Sequence, residues 1–280
     1  MLMVATDLDR TLVYSRGAIE AYGGREIPVV PVERDEGADV SWMTACAAKL
    51  LTELHRDALL VPTTTRTPEQ YERITLPGPP PRYAITANGG ILLVDGAIDH
   101  DWDGVVAAEL ARVAPLAEVW EHAGHVCRPE WTVKLRNAHG LFCYAVLHRD
   151  RTPRAFVADV TAWADQRGWQ TSLQGRKLYL VPRSLTKSAA VAEIVRRTGC
   201  ERVAAAGDSL LDADLLDAAD AGIAARHGEL VTSGWSAPHV TVTAADGVRA
   251  GEEIVDWFAG QSGTRRTGCA RASKRNQFGG

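Results

Sequence analysis

The pair of carboxylates Asp7 and Asp9 is the first feature of this chain whose residue types and spacing suit chemistry. Both lie in the stretch DLDRTL, directly after the short apolar run Leu2–Thr6. Two carboxylates in one loop can divide the work of a reaction, because one can attack an electrophile while the other transfers protons. Taken alone, an Asp-x-Asp after a strand is more often a capped turn. The rest of the chain must decide between these interpretations.

Three further polar clusters lie later in the chain, each after an apolar run or at a predicted helix start. They are TTTR at 63–66, Thr186 with Lys187, and GDSLLD, which holds Asp208 and Asp212. Asn88 also follows a short apolar run. Ligands of open α/β sheets bind outside the carboxyl ends of the strands, so such residues meet at one edge of a sheet. Clusters in this order are harder to explain as unrelated turns than any one of them alone.

The strands that must position these clusters are predicted from short apolar runs that stop at polar residues. These runs are Leu2–Thr6, 59–62, Tyr83–Thr86, 203–206 and 239–243. Such runs are typical of strands buried in a parallel sheet. The segment 14–39 contains Gly, Pro and alternating residues and predicts a long loop or a small hairpin.

Helices are predicted between these strands from apolar residues at helical spacing. One is expected over 41–55, with Ser41 as its N-cap, and another over Lys187–Thr198, between a Thr186 cap and a Gly199 stop. Alternating strands and helices are typical of an α/β fold in which helices cross a parallel sheet.

The middle of the chain departs from this alternation and predicts an inserted domain. Helices are expected at 101–116 and 156–167, and paired strands at 131–136 with 141–147 and at 170–173 with 178–181. This αββαββ unit of roughly 90 residues is large enough to fold separately. The sequence therefore predicts a core made of residues 1–90 and 182–260, with a second, α+β domain at residues 91–181.

Composition and charge give no signal for nucleic acid or a membrane. The net charge is −4, and no window reaches the 18 apolar residues of a spanning helix. Residues 261–280 hold five Lys/Arg and no Asp/Glu, which predicts a disordered basic tail. The five cysteines lack metal-binding spacing and fit reduced thiols. We therefore expect a cytoplasmic protein without nucleic-acid or membrane partners, while the oligomeric state stays open.

The order of the motifs resembles that of the haloacid dehalogenase (HAD) superfamily of phosphatases and phosphomutases, to about residue 259. The family's Asp-x-Asp-x-Thr matches Asp7, Asp9 and Thr11, its second-motif Thr matches Thr64, its Lys matches Lys187, and its acidic pair matches Asp208 and Asp212. The insert resembles the large cap of the branch with sucrose-phosphate phosphatase, phosphomannomutase and Cof-type sugar phosphatases. In that branch an Asn-Gly pair often stands where Asn88 lies. The resemblance implies a Rossmann-like core with an inserted cap, residues 91–181.

The resemblance also implies a Mg²⁺-dependent enzyme that acts on a small phosphorylated substrate. A carboxylate attacks an anionic phosphate ester only where cations neutralise the repulsion. Mg²⁺ prefers oxygen ligands, and we expect these from the carboxylates of Asp7 and Asp208 and the main-chain carbonyl of Asp9. Lys187 and Thr64 would bind the phosphoryl oxygens.

The resemblance also implies a role for each of these side chains. Asp7 is expected to attack phosphorus and form an aspartyl-phosphate, while Asp9 protonates the leaving oxygen and then activates water. Asp212 would hold Lys187 or a metal-bound water, and Asn88 would contact substrate. The prediction that we favour is a phosphatase with a sugar phosphate as its substrate. A phosphomutase that uses the same aspartyl-phosphate and a non-catalytic sensor of phosphorylated ligands are the alternatives.

Three positions depart from the family pattern, because Arg10 and Thr65 stand where glycines are usual and Leu211 replaces a frequent Asn. Arg10 either points away as a packing or surface residue, which we favour, or reaches towards the cap and a substrate anion. Six cap residues are candidates for contact with substrate: Arg128, Lys134, Arg136, His139, Arg176 and Lys177.

Overall fold

The computed structural model describes residues 1–263, in which strands and helices alternate along most of the chain. The strands are β1 (Leu2–Thr6), β2 (Tyr14–Ser15), β3 (Val29–Asp35), β4 (Ala38–Thr44), β5 (Ala58–Pro62), β6 (Tyr83–Thr86), β7 (Ile91–Val94), β8 (Ala97–Ile98), β9 (Thr132–Ala138), β10 (Phe142–Leu147), β11 (Trp169–Gln174), β12 (Lys177–Pro182), β13 (Arg202–Gly207), β14 (Ala221–Ala224) and β15 (Val240–Val242). The helices are α1 (Arg16–Ala21), α2 (Ala45–Leu54), α3 (Pro68–Tyr71), α4 (His100–Leu110), α5 (Leu116–Val126), α6 (Phe156–Asp165), α7 (Lys187–Thr198), α8 (Ala213–Ala218), α9 (Glu229–Thr232) and α10 (Val248–Ser262).

A five-stranded parallel sheet, in the order β15-β14-β13-β1-β5, forms the centre of the core. All residues of β1 are buried, as expected for a strand covered on both faces. Thr6, which ends β1, is in register with Pro62 of β5 and Ala206 of β13. The carboxyl ends of these three strands therefore lie side by side, and the residues that follow them share one edge.

Helices cover both faces of this sheet because side chains along a strand alternate between its faces. Leu2 and Val4 pack in one apolar cluster with α2 and α10, whereas Met3 and Ala5 pack in another with α7 and α8. This arrangement confirms the predicted α/β class with its parallel sheet.

Two small antiparallel sheets border the core, in the orders β2-β4-β3 and β6-β7-β8. A parallel bridge between Thr63 and Ile85 links the second of them to the end of β5. β7 pairs with β6, so that Ile91 lies opposite Thr86. The predicted domain boundary at residue 91 therefore falls between two paired strands.

The insert, residues 91–181, contains a four-stranded antiparallel sheet in the order β11-β12-β10-β9. Helices α5 and α6 pack on this sheet, and His122 of α5 stacks on Trp163 of α6 with ring centroids 3.7 Å apart. The helix predicted over 101–116 is confirmed as far as Leu110, but its predicted end is wrong. Here α4 ends at Leu110 and α5 begins at Leu116, because Pro115 occupies the N-cap of the second helix.

The helix α7 has its predicted bounds, with the Thr186 side chain as its cap and a left-handed Gly199 at its end. The predicted start of α2 is wrong. Ser41 belongs to β4, and the Thr44 hydroxyl caps the helix by accepting from the Ala47 N–H at 2.9 Å. Pairing of 38–44 with β3 determines the conformation of these residues more strongly than their helical spacing does.

The segment 14–39 forms most of the β3–β4 hairpin, as predicted, but it also contains α1, which the sequence pattern did not indicate. Helix α10 continues to Ser262, so the first two residues of the predicted tail are helical, and 264–280 lie outside the described residues. Within residues 1–263, no helix is both long and apolar enough to cross a membrane.

Candidate active site

Three buried carboxylates meet at the carboxyl edge of the parallel sheet. Asp7 follows β1, Asp208 follows β13, and Asp212 ends the 3₁₀ turn Leu210–Asp212. A carboxylate oxygen of each lies within 4.8 Å of those of the other two. A Cβ on Gly207 would lie 2.3 Å from the Asp212 Cβ, so only glycine there lets Asp212 approach. We call Asp7, Asp208 and Asp212 the acid cluster.

Lys187, the first residue of α7, is fully buried and binds two members of the acid cluster. Its Nζ donates to Asp7 Oδ1 at 2.8 Å and to Asp212 Oδ1 at 2.5 Å. The other Asp212 oxygen accepts from the backbone N–H groups of Asp208 and Ser209, at 3.1 and 2.9 Å. Both oxygens of Asp212 are therefore engaged, and this carboxylate holds Lys187 beside Asp7.

The charge balance of the acid cluster favours a bound cation. Burial raises the pKa of Asp7 to about 7, although Lys187 acts to lower it. Burial, Asp7 and Asp212 together raise the pKa of Asp208 well above its ordinary value. Lys187 and, at Asp208, Arg10 thus face three carboxylates, and a divalent cation would relieve the remaining repulsion.

The oxygens on this edge also fit a hard cation. Asp208 and Asp7 have carboxylate oxygens within reach of one another. The Asp9 carbonyl accepts no hydrogen bond from residues 1–263. Two carboxylates and a free main-chain carbonyl are the donor type that Mg²⁺ takes in proteins.

Asp9 is held by Arg66, from the loop after β5. Arg66 donates from Nε and Nη2 to the two Asp9 oxygens at 2.7 and 2.8 Å. Burial alone would raise the pKa of Asp9, but the Arg66 guanidinium lowers it to about 2. Asp9 is therefore ionised at neutral pH while this pair persists.

Arg66 is in turn fixed by Glu33 of β3, which the sequence reasoning missed. Its Nη1 and Nη2 donate to Glu33 at 2.6 and 3.0 Å, and the Ser41 hydroxyl donates to the same carboxylate at 2.5 Å. Glu33 is only 4% exposed. An Arg two residues after Thr64 was a visible signal for Arg66, whereas no local pattern pointed to Glu33.

Thr64 and Asn88 lie on the same edge. The Thr64 hydroxyl accepts from the Arg66 N–H at 3.2 Å, which leaves its own proton available to an acceptor. Asn88 donates from its backbone N–H to the Thr64 carbonyl and from Nδ2 to the Leu185 carbonyl, both at 3.0 Å. The Asn88 side chain thus ties this loop to the segment before α7, and its Oδ1 is buried without a partner among residues 1–263.

Arg10 reaches towards the insert, so the alternative that we favoured, in which it points away, is wrong. Its backbone is left-handed, with φ at 64°. The guanidinium lies 3.5 Å from Asp208 Oδ2 and donates to the His227 carbonyl at 3.3 Å. A Cβ on Gly175, in the turn between β11 and β12, would lie 3.8 Å from Arg10 Nη1. The other two departures cause no strain, because Thr65 lacks a positive φ and Leu211 is buried in the core.

The structure separates the six candidate contacts of the insert. Lys177 lies near enough to Asp9 to lower its pKa, and Tyr179 and then Asp9 raise the pKa of Lys177 against the opposing effect of burial. His139 instead pairs with Glu69 of α3 at 3.3 Å, and Arg176 donates to the Leu147 carbonyl. Arg128, Lys134 and Arg136 form no side-chain hydrogen bond or ion pair within residues 1–263.

Comparison with known proteins gives structural matches only. No family model matches the chain, and no curated protein matches its sequence. The sucrose-phosphatase from Synechocystis sp. PCC6803, solved with sucrose and phosphate, has a TM-score of 0.63 at 16% identity, over 92% of this chain and 97% of that one.

Two further solved structures give the same result. A HAD-superfamily phosphatase from Bacteroides thetaiotaomicron has a TM-score of 0.51 at 16% identity, over 92% of this chain and 96% of its own. A haloacid dehalogenase-like hydrolase from B. subtilis has a TM-score of 0.51 at 14% identity, over 92% and 99%. The chain thus has the fold of the haloacid dehalogenase superfamily phosphatases, as its motifs predict.

Proposed function

We propose that this protein is a Mg²⁺-dependent phosphatase that hydrolyses a small phosphorylated metabolite, with a sugar phosphate as substrate, through an aspartyl-phosphate on Asp7. The contact of Lys187 with Asp7 in the acid cluster is the observation that carries the proposal. A buried carboxylate beside a cation, with a second carboxylate in the same loop, is the constellation that phosphoryl transfer requires.

The first step in this proposal is the attack of a carboxylate oxygen of Asp7 on phosphorus. A bond forms between that oxygen and phosphorus, and the bond to the leaving oxygen breaks as Asp9 supplies a proton. Lys187 and the Thr64 hydroxyl orient the phosphoryl oxygens. Asp7, Asp208 and the Asp9 carbonyl would hold Mg²⁺, which would supply positive charge that offsets the anionic ester.

The second step is hydrolysis of the aspartyl-phosphate. Asp9 takes a proton from water, whose oxygen attacks phosphorus and releases inorganic phosphate and the free Asp7 carboxylate. An ionised Asp9 suits this role, and its pair with Arg66 keeps it ionised. Donation of a proton in the first step requires Asp9 to leave Arg66, because both its oxygens are bound there.

The organisation of the chain supports the same proposal. We propose that residues 1–90 and 182–260 form the catalytic core and that residues 91–181 act as a cap, because Lys177 of the insert faces Asp9. The sucrose-phosphatase match supports a sugar phosphate. We propose a cytoplasmic location, which the free thiols of Cys127, Cys143 and Cys200 support, although Cys46 is disulfide-bonded.

The proposal is tested with a panel of sugar phosphates and other phosphate monoesters in the presence of Mg²⁺. We expect release of inorganic phosphate that stops with EDTA and falls at least about 10³-fold in Asp7→Asn. Isomer interconversion without phosphate release would instead identify a phosphomutase. Binding of phosphate esters without turnover of any panel member would contradict an enzymatic role.

A further inference from the structure

A cleft of about 260 Å³ lies between the core and the insert, beside the acid cluster. Asp208, Arg10 and Glu229 line it from the core, and Arg149, Gln174 and Gly175 line it from the insert. Because Asp208 belongs to both the cleft and the acid cluster, the cleft borders the proposed reaction centre.

The hydrogen-bonding groups left free in the cleft are mainly cationic. Arg149 is exposed and forms no ion pair or hydrogen bond with any residue of the part of the chain that the structure describes. Arg10 Nε forms no hydrogen bond there, although it lies 3.5 Å from Asp208 Oδ2, and Nη1 donates to none of those residues. Two guanidinium groups with unused donors thus face one cavity.

The carboxylate of Glu229 is already occupied. Its oxygens accept from the Ser172 hydroxyl at 2.5 Å, the Leu173 N–H at 2.9 Å and the Leu210 N–H at 3.1 Å. Two of these donors belong to β11 of the insert, so Glu229 fixes the strand that leads to Gln174 and Gly175. The Glu229 carboxylate therefore serves to hold the insert, and the other carboxylate of the cleft lining, Asp208, belongs to the acid cluster.

Arg10 has a backbone conformation that is unfavourable for a residue with a Cβ. A φ of 64° is a left-handed conformation that glycine adopts more easily than a residue with a Cβ. A long cationic side chain in such a conformation, at the mouth of a cleft, indicates a use that offsets the strain.

We propose that this cleft is an anion subsite in which Arg10 and Arg149 bind a second anionic group of the substrate, remote from the transferred phosphoryl group. The inference rests on the proposed function and narrows it. The substrate class becomes a phosphorylated sugar acid or a bisphosphate, because a planar guanidinium matches both carboxylate and phosphate oxygens.

The experiment uses pairs of ligands that differ mainly by one anionic group. The pairs are glucose 1-phosphate with glucuronic acid 1-phosphate, glucose 6-phosphate with glucose 1,6-bisphosphate, and glycerol 3-phosphate with 3-phosphoglycerate. Equilibrium binding is measured by titration calorimetry in an Asp7→Asn background, and kcat/KM is measured with Asp7 intact. The carboxylate and bisphosphate pairs show which anion the subsite prefers.

We expect at least one charged member to bind about tenfold or more tightly than its partner, as suits hydrogen bonds to a charged group. Arg10→Gly and Arg149→Gln should each lower this ratio towards one. Arg154→Gln is the matched control, because Arg154 is an exposed arginine of the same loop that does not line the cleft. The melting temperature of Arg10→Gly is measured as well, because relief of the left-handed φ of 64° opposes the loss of the Arg10 contacts with Asp208 and the His227 carbonyl.

The subsite would be overturned if the charged and uncharged members of all three pairs bound equally well. It would also be overturned if neither arginine substitution lowered the preference for the charged member. A preference for the charged member that is lost on Arg149→Gln, in a protein that hydrolyses no ester of the panel, would support the subsite and refute the phosphatase. Hydrolysis of a panel ester, with charged and uncharged members bound equally well, would support the phosphatase and refute the subsite. Failure of the subsite and failure of the proposed function therefore give different results.

Discussion

The acid cluster and the cleft beside it differ in how their charges are satisfied. In the cluster, Lys187 is fully buried and bound by Asp7 and Asp212 at 2.8 and 2.5 Å. In the cleft, Arg149 is exposed and has no hydrogen bond or ion pair within residues 1–263. The comparison shows that the groups proposed for bond breaking are positioned by the fold itself. The groups proposed for recognition are left for a ligand to complete.

Removal of the cation from the acid cluster should cause the largest change. Lys187→Met leaves Asp7 and Asp212 buried without their partner, and loss of one member of a buried ion pair costs about 3–5 kcal/mol. We expect the free energy of unfolding to fall by this amount in chemical denaturation, and phosphate release to be lost. Lys49→Met, on the exposed face of α2, is the control and should change stability by less than about 0.5 kcal/mol. Equal stability of the two variants would refute the buried-network interpretation.

Arg66 lies in the loop after β5, and its replacement tests whether it positions Asp9. Arg66→Lys keeps the charge but loses the two parallel bonds to Asp9, so we expect kcat to fall about tenfold to a hundredfold. The pKa of the Asp9 carboxyl should also rise from about 2 towards its ordinary value, which an NMR titration of that carboxyl measures.

The control for this variant is Arg73→Lys. Like Arg66, Arg73 forms an ion pair with Glu33, here at 3.2 Å. The other partner of Arg73 is Asp35 rather than Asp9. A purely structural role of the arginines around Glu33 would make the two variants alike. An unchanged pKa of Asp9 in Arg66→Lys would show that Arg66 does not act on Asp9.

The sequence predicted the parts of the site that depend on local pattern. Asp7 and Asp208 follow apolar runs, and Lys187 begins a helix whose cap and stop residues are visible in the sequence. These signals are short-range, because strand burial, capping and left-handed glycine each involve a few neighbouring residues. Parallel pairing of such strands then brings the motifs together without further information.

The missed parts depend on contacts distant in sequence. Glu33 reaches Arg66 only because β3 pairs with β4, and the same pairing takes Ser41 out of the predicted helix. The direction of Arg10 depends on Asp208 and His227, roughly 200 residues away, which no local pattern reveals. The residues proposed for the reaction could thus be predicted from the sequence, whereas the residues that position them could be identified only from the three-dimensional structure.

The smallest expected effect concerns His227, which connects the cleft to the core. Its Nε2 donates to the Arg10 carbonyl at 3.0 Å and its Nδ1 accepts from the Gly247 N–H at 3.1 Å, an arrangement that needs a neutral ring. Burial and then Arg10 lower the pKa of His227 to about 4. The stability that it contributes is therefore present above its unfolded pKa of about 6.5 and is lost as the pH falls towards 4.

His227→Gln should flatten the dependence of stability on pH between about 6.5 and 4, because glutamine lacks a titrating group there. Denaturant unfolding at half-unit pH steps measures this slope, with His100→Gln as the control on an exposed histidine. If both variants keep the wild-type slope, protonation of His227 does not weaken the Arg10 loop. A slope lost only in His227→Gln would show that acid loosens the cleft, where Arg10 is held, through this ring.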